Sequence, residues 1–191
     1  MSEPSLVHAT LQLPLMAAAD GLYQSSERLV HQLDFAAQAV MHAVTAGGKV
    51  LCAGEAEARS LAEQAERLLV HGHERERPPL AALAVRALPG QTDLTAGLRA
   101  HGHPGDVWLA FSLERDEAAL REATELAAEL DLTLIVFSGE SARTLGPLLR
   151  DTDVWVPLPG GDRPDTLYAM AWLALHGLVT AVDTHLLGDA S

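Results

Sequence analysis

The chain has 191 residues, 48% apolar and 20% charged, which suits one folded domain with a substantial core and excludes a disordered chain. A formal net charge of −13 with a single lysine, Lys49, excludes a general affinity for nucleic acid, because binding to phosphates needs clustered cations. One cysteine, Cys52, excludes a disulfide framework, and the first residues show no basic stretch leading into an apolar run, so a cytoplasmic protein is expected.

In chain order, residues 6–46 read as a helical region broken near "ADGL" (19–22), with Val30, Leu33, Ala37, Val40 and Val44 as its apolar stripe. "TAGGK" (45–49) supplies a glycine stop, and 49–53 reads as a short buried strand that turns at Gly54. A helix over 57–71 follows, carrying Leu61, Ala65, Leu68 and Leu69 on one side. The pattern then predicts strand 80–85, helix 91–101, strand 106–112, helix 115–130, strand 132–138, helix 141–150 and strand 153–158. Strands that are continuous apolar runs, alternating with helices, predict a three-layer, doubly wound α/β fold with a five-stranded parallel sheet.

The last helix, 164–187, is apolar on every side from Leu167 to Val182, interrupted by His176 and Thr180. The apolar stretch is short for a membrane span, so burial on several sides is expected, with a second subunit as the extra partner. The chain thus reads as one domain over 1–191: helical region 6–46, α/β core 49–158 and terminal helix 164–187.

Other constellations are weaker. The two His-Gly-His triplets (71–73 and 101–103) each fall at a helix end, where histidine also suits the helix dipole. His8, His31, His42 and His185 are scattered and read as surface or interface residues. Cys52 reads as a small buried side chain, and "GEAEA" (54–58) matches no nucleotide-binding loop.

The blocks "KVLCAG", "ERERPPL", "GHPGDVWLA" and "LTLIVFSG", in this order behind a long first helix, resemble the sugar isomerase (SIS) domain family. Within it, the chain is similar to phosphoheptose isomerases and to DnaA initiator-associating proteins, over about residues 10–187. The resemblance implies the SIS sheet, a homotetramer or dimer, and, on the initiator-associating side, a protein partner such as the replication initiator.

The family's turn after the first strand reads G-N-G-[GT]-S-A and holds a sugar phosphate on a serine and a helix N-terminus. Aligned here, Gly54 is kept, Glu55 follows it, the next family glycines fall on Ala56 and Glu57, and the serine falls on Ala58. The second phosphate loop, S-T-S-G-N-S, falls on "SLERDE", where Ser112 is kept and Leu113, Glu114, Arg115, Asp116 and Glu117 replace the rest. Both loops have lost hydroxyls and gained acids, which repel a phosphate. Three readings of the acidic turn stand: carboxylates facing the dipole of the next helix, an altered ligand pocket, or a protein-contact surface.

The family's His and Glu in the helix after the first turn fall on Gln64 and Leu68, and its Gln and His in the last helix on Tyr168 and His176. Only His176 is kept. Leu68 cannot move a proton, and one histidine is not a zinc site, so no cofactor is expected unless the site aligns differently. The resemblance therefore implies a SIS-fold binding or regulatory module without isomerase activity. The alternative is an active phosphosugar isomerase, or a sugar-phosphate binder, whose site is misaligned or completed by another subunit.

Overall fold

The computed structural model describes residues 6–73, 75–87, 92–139, 144–161 and 163–188. Five parallel strands form one sheet: β1 (Val50–Gly54), β2 (Ala82–Ala84), β3 (Val107–Ser112), β4 (Thr133–Gly139) and β5 (Val154–Leu158), in the order β2-β1-β3-β4-β5. The helices are α1 (Leu6–Thr45), α2 (Arg59–His71), α3 (Thr95–His101), α4 (Ala118–Glu129) and α5 (Pro164–Leu187).

The strands are apolar throughout because both faces of the sheet are covered, and the two-residue strand period divides their side chains between two cores. Val50, Cys52, Val107, Leu109, Phe111, Ile135 and Phe137 join α1, α2 and α5 on one face. Leu51, Ala53, Trp108, Ala110, Leu134 and Val136 join α3 and α4 on the other. Trp108 is fully buried there, and its indole N–H donates to Thr124 Oγ1 at 2.9 Å, so its one polar atom is satisfied.

The first helix differs from its sequence reading. α1 runs unbroken for 40 residues, about 60 Å. Gly21 does not interrupt it; the β5–α5 loop packs against it at Pro159 and Gly160, at a distance that would leave a β-carbon in ordinary contact. The buried stripe is Leu29, Leu33, Ala36, Ala37, Val40 and Ala43, whereas Val30 is 65% exposed and Val44 is only partly buried. Helical phase explains the difference: the two valines flank the inward face.

Two connections also depart from expectation. The helix expected over 141–150 is, in its described part, a single 3-10 turn at Gly146–Leu148; residues 140–143 lie outside the described residues. α3 begins at Thr95 rather than near 91, a position also outside the described residues. The boundaries of α5 are those expected from sequence.

α5 is long and apolar enough to cross a membrane by length and composition alone, yet it is a core helix. Leu167, Ala171, Ala174, Leu175, Leu178, Val179 and Val182 face the sheet, α1 and α2. Its other side leaves Trp172 44% and Leu173 50% exposed.

One buried ion pair fastens α5 to the rest. Arg77 Nε donates to Asp183 Oδ1 at 2.5 Å, with both side chains almost wholly out of solvent. The same guanidinium donates to the Leu68 and Leu69 carbonyls at 3.1 and 2.7 Å, closing the carboxyl end of α2. This is the structural use of Arg77 within the "ERERPP" block.

Candidate functional site: the carboxyl edge of β1 and β3

β1 and β3 are neighbours, but the chain leaves β1 for α2 on one face and β3 for α4 on the other. Such a divergence opens a crevice at the carboxyl ends of the strands, the usual place for a ligand in an open α/β sheet. The two acidic segments singled out in the sequence both end here.

The β1 turn keeps the backbone of a glycine-rich loop without its glycines. Gly54 is required, since a side chain there would lie 2.6 Å from the Ala58 carbonyl oxygen. Ala56 has φ +45°, in the left-handed region that glycine favours. Ala58 is buried and offers no hydroxyl, and Ser60 spends its hydroxyl on the Glu57 carbonyl at 2.8 Å. Glu57 is exposed.

Glu55 does not serve the helix that follows it. Its carboxylate accepts the backbone N–H of Leu120, in the first turn of α4 across the crevice. The expectation that Glu55 faces the dipole of its own helix is therefore corrected. It is the α4 N-terminus, presented by the neighbouring strand, that the carboxylate reaches.

Glu117 precedes α4 and folds back into its own loop. Ser112 Oγ donates to Glu117 Oε2 at 2.5 Å, and the Glu114 backbone N–H donates to Oε1 at 2.9 Å. The residue is 2% exposed. Burial pushes its carboxyl above the ordinary glutamate range, against hydrogen bonds from Ser112 and the loop amides that hold it down, and the nearby Glu55 adds to the rise.

Tyr168, on α5, closes the group by donating its hydroxyl to the Glu114 carboxylate. Burial, that hydrogen bond and the charges of Glu114, Glu57 and Glu117 all raise the phenol, so it remains a donor. Tyr168 was identified in the sequence only as the residue standing where the family has glutamine; nothing there shows its contact with Glu114.

The site thus collects Gly54, Glu55, Glu57, Ala58, Ser112, Glu114, Glu117 and Tyr168. Among the described residues, none of its four glutamates pairs with a basic side chain. Arg115 is exposed and forms no ion pair with the acids of its loop. Lys49 is held by Asp106 at 2.6 Å, beside the first residues of β1 and β3 and so at the far edge of the sheet.

The remaining candidates lie apart. His176 is two turns beyond Tyr168 on α5, about 12 Å along the axis, and its Nδ1 is 3.0 Å from Nε2 of His73 in the first His-Gly-His triplet. In the second triplet, the His103 N–H donates to Asp106 at 2.9 Å. No three His, Cys, Asp or Glu side chains converge to hold a metal among the described residues. Leu68 is 1% exposed within the apolar core, and Gln64 accepts a hydrogen bond from Arg67 at 3.0 Å.

The topology, with its divergence between β1 and β3, defines a doubly wound α/β domain, and comparison with known proteins makes it one of the sugar isomerase type. The chain is 34% identical over 195 residues to a phosphoheptose isomerase of Methylibium petroleiphilum, covering 96% of this chain and 97% of that one. The chain belongs to the phosphoheptose isomerase-like family of SIS-domain proteins. It is also 28% identical over 175 residues to the DnaA initiator-associating protein DiaA of Serratia proteamaculans, covering 85% of this chain and 88% of that one. A solved phosphoheptose isomerase from Francisella tularensis shares the fold with TM-score 0.81 at 22% identity, over 96% of this chain and all of that one. No family profile matches the chain.

Proposed function

We propose that this chain is a SIS-domain binding or regulatory module without phosphosugar isomerase activity. One observation carries the reading: the polar groups at the carboxyl edge bond to one another, acid to amide and acid to hydroxyl, and among the described residues none of these acids is paired with a basic side chain. A sugar phosphate entering here would meet four glutamates that no described basic side chain neutralises, and would find no free hydroxyl on the β1 turn. Leu68 supports the same reading, because a leucine packed in the core cannot move a proton between sugar carbons.

The proposed partner is a protein, as the similarity to the initiator-associating protein suggests, with the replication initiator as the first candidate. The proposed working form is a cytoplasmic homodimer or homotetramer that uses no metal or other cofactor and binds neither nucleic acid nor membrane directly. The exposed Trp172 and Leu173 on α5, with Leu13, Met16 and Tyr23 on α1, support the assembly by offering apolar area that water would otherwise cover.

A second reading is supported by the near full-length identity to a phosphoheptose isomerase: an active isomerase whose site is completed between subunits, with His176 contributing. Thermal unfolding with millimolar sedoheptulose phosphate, zinc being varied separately, separates the two. The binding-module reading expects no change in midpoint. A ligand at a hundred times its dissociation constant adds about 2.7 kcal/mol, so a clear rise would replace that reading with a sugar-phosphate binder or, where turnover of the sugar accompanies it, an active isomerase.

A further inference from the structure

We propose that Glu117 is a built-in anion: its carboxylate occupies the donors of the β3–α4 loop and thereby excludes an external phosphate from them. The inference rests on the binding-module reading above and names the contact that enforces it.

Three geometric facts carry it. Glu117 is 2% exposed although it lies in a loop, so its carboxylate is turned inward rather than into solvent. Its two oxygens are used separately, one on the Ser112 hydroxyl at 2.5 Å and one on the Glu114 amide at 2.9 Å, much as a phosphate would divide its oxygens between a hydroxyl and a backbone amide. The adjoining α4 donor, the Leu120 N–H, is likewise taken by an acid, Glu55. Carboxylates attached to the chain thus take up the Ser112 hydroxyl and the Glu114 and Leu120 amides.

A tethered group competes at a high effective concentration, so a free anion must displace it and also tolerate its charge nearby. The groups facing Glu117 are Glu55 from the β1 turn, Glu114 of its own loop and Tyr168 from α5, with Glu57 beyond them. Arg115 of the same loop is exposed, and among the described residues no basic side chain pairs with Glu117 to offset the exclusion.

The test removes the Glu117 carboxylate at a position where short polar residues are good helix caps. Glu117 is the N-cap of α4, and serine and asparagine are favoured there, so E117S and E117N are expected to fold. Each is made beside E55Q, which relieves the second acid, and is compared with E55Q alone and with the unaltered chain. Unfolding midpoints are measured against inorganic phosphate, with sodium chloride at matched ionic strength.

The expected result is a saturable phosphate-specific rise of about 5 °C or more in E55Q/E117S and E55Q/E117N at a hundredfold excess over the dissociation constant, and none in E55Q. The single variant E117S, which leaves the Glu55–Leu120 bond in place, is read in the same way if the doubles lose their fold. Folded variants that respond to phosphate no more than E55Q would overturn the proposal while leaving the binding-module reading intact. A phosphate-specific rise in the unaltered chain would overturn both.

Discussion

Arg77 and Asp183 stand 106 residues apart in the chain and meet at 2.5 Å in a pair that solvent does not reach. Arg77 also caps α2 through the Leu68 and Leu69 carbonyls, so one side chain joins two helices. Asp183→Ala would leave the guanidinium charge buried and uncompensated, which costs about 3–5 kcal/mol. Urea unfolding should show a loss of that size, and a loss below about 1 kcal/mol would mean that the pair is solvated in solution.

Ala56 holds a left-handed conformation that a β-carbon disfavours by about 1–2 kcal/mol. Glycine removes that penalty but loses more backbone entropy on folding, by about 0.5–1 kcal/mol. Ala56→Gly should therefore stabilise the protein slightly, by about 0.5–1 kcal/mol in the same urea assay. Destabilisation would show that this turn relaxes to a right-handed form.

Glu117 gives a pH dependence of definite sign. Its folded-state carboxyl lies above the ordinary value of 4.5, so the folded chain binds that proton more tightly than the unfolded chain does. The contribution to stability is fully present below 4.5 and is lost as pH rises from there through the raised folded value. The unfolding free energy of the unaltered chain minus that of E117Q should fall as pH is raised from about 4 to about 8. A difference that is flat or rises with pH would place the carboxylate in a solvated or cation-paired setting.

Trp172 and Leu173 test the proposed assembly. Both are exposed on α5, so charge at these positions costs the isolated subunit little, but it would be buried in an interface that uses them. The double variant W172E/L173E should keep its helical circular dichroism and sediment as a smaller species than the unaltered chain. Unchanged sedimentation would move the interface elsewhere or leave the chain a monomer.

The sheet was largely legible in the sequence because β1, β3, β4 and β5 are uninterrupted apolar runs, a pattern that buried parallel strands require. α1 was misread at Gly21, since glycine inside a helix signals a break unless the loop packed against it is known. Val30 was misassigned for a related reason: composition marks an apolar residue, but only packing shows which way it faces.

The site was legible in its losses but not in its contacts. Aligning the two loops with the family motifs exposed the missing hydroxyls at Ala58 and Leu113. No local pattern, however, connects Glu55 to Leu120, 65 residues away, or turns Glu117 back toward Ser112. The first contact arises because parallel β1 and β3 place their exits side by side, a property of topology rather than spacing, and the second from the fold of the β3–α4 loop on itself.

Cys52 sits in β1, hydrogen-bonded between β2 and β3, fully buried, with its thiol pushed up by burial and by the charge of Glu66. A thiolate reagent can reach it only when the middle of the sheet opens. Being the single sulfhydryl in the chain, it gives a built-in clock for that opening. Its modification rate in native buffer reads how often the whole domain comes apart, and any partner or second subunit that clamps the sheet will slow it.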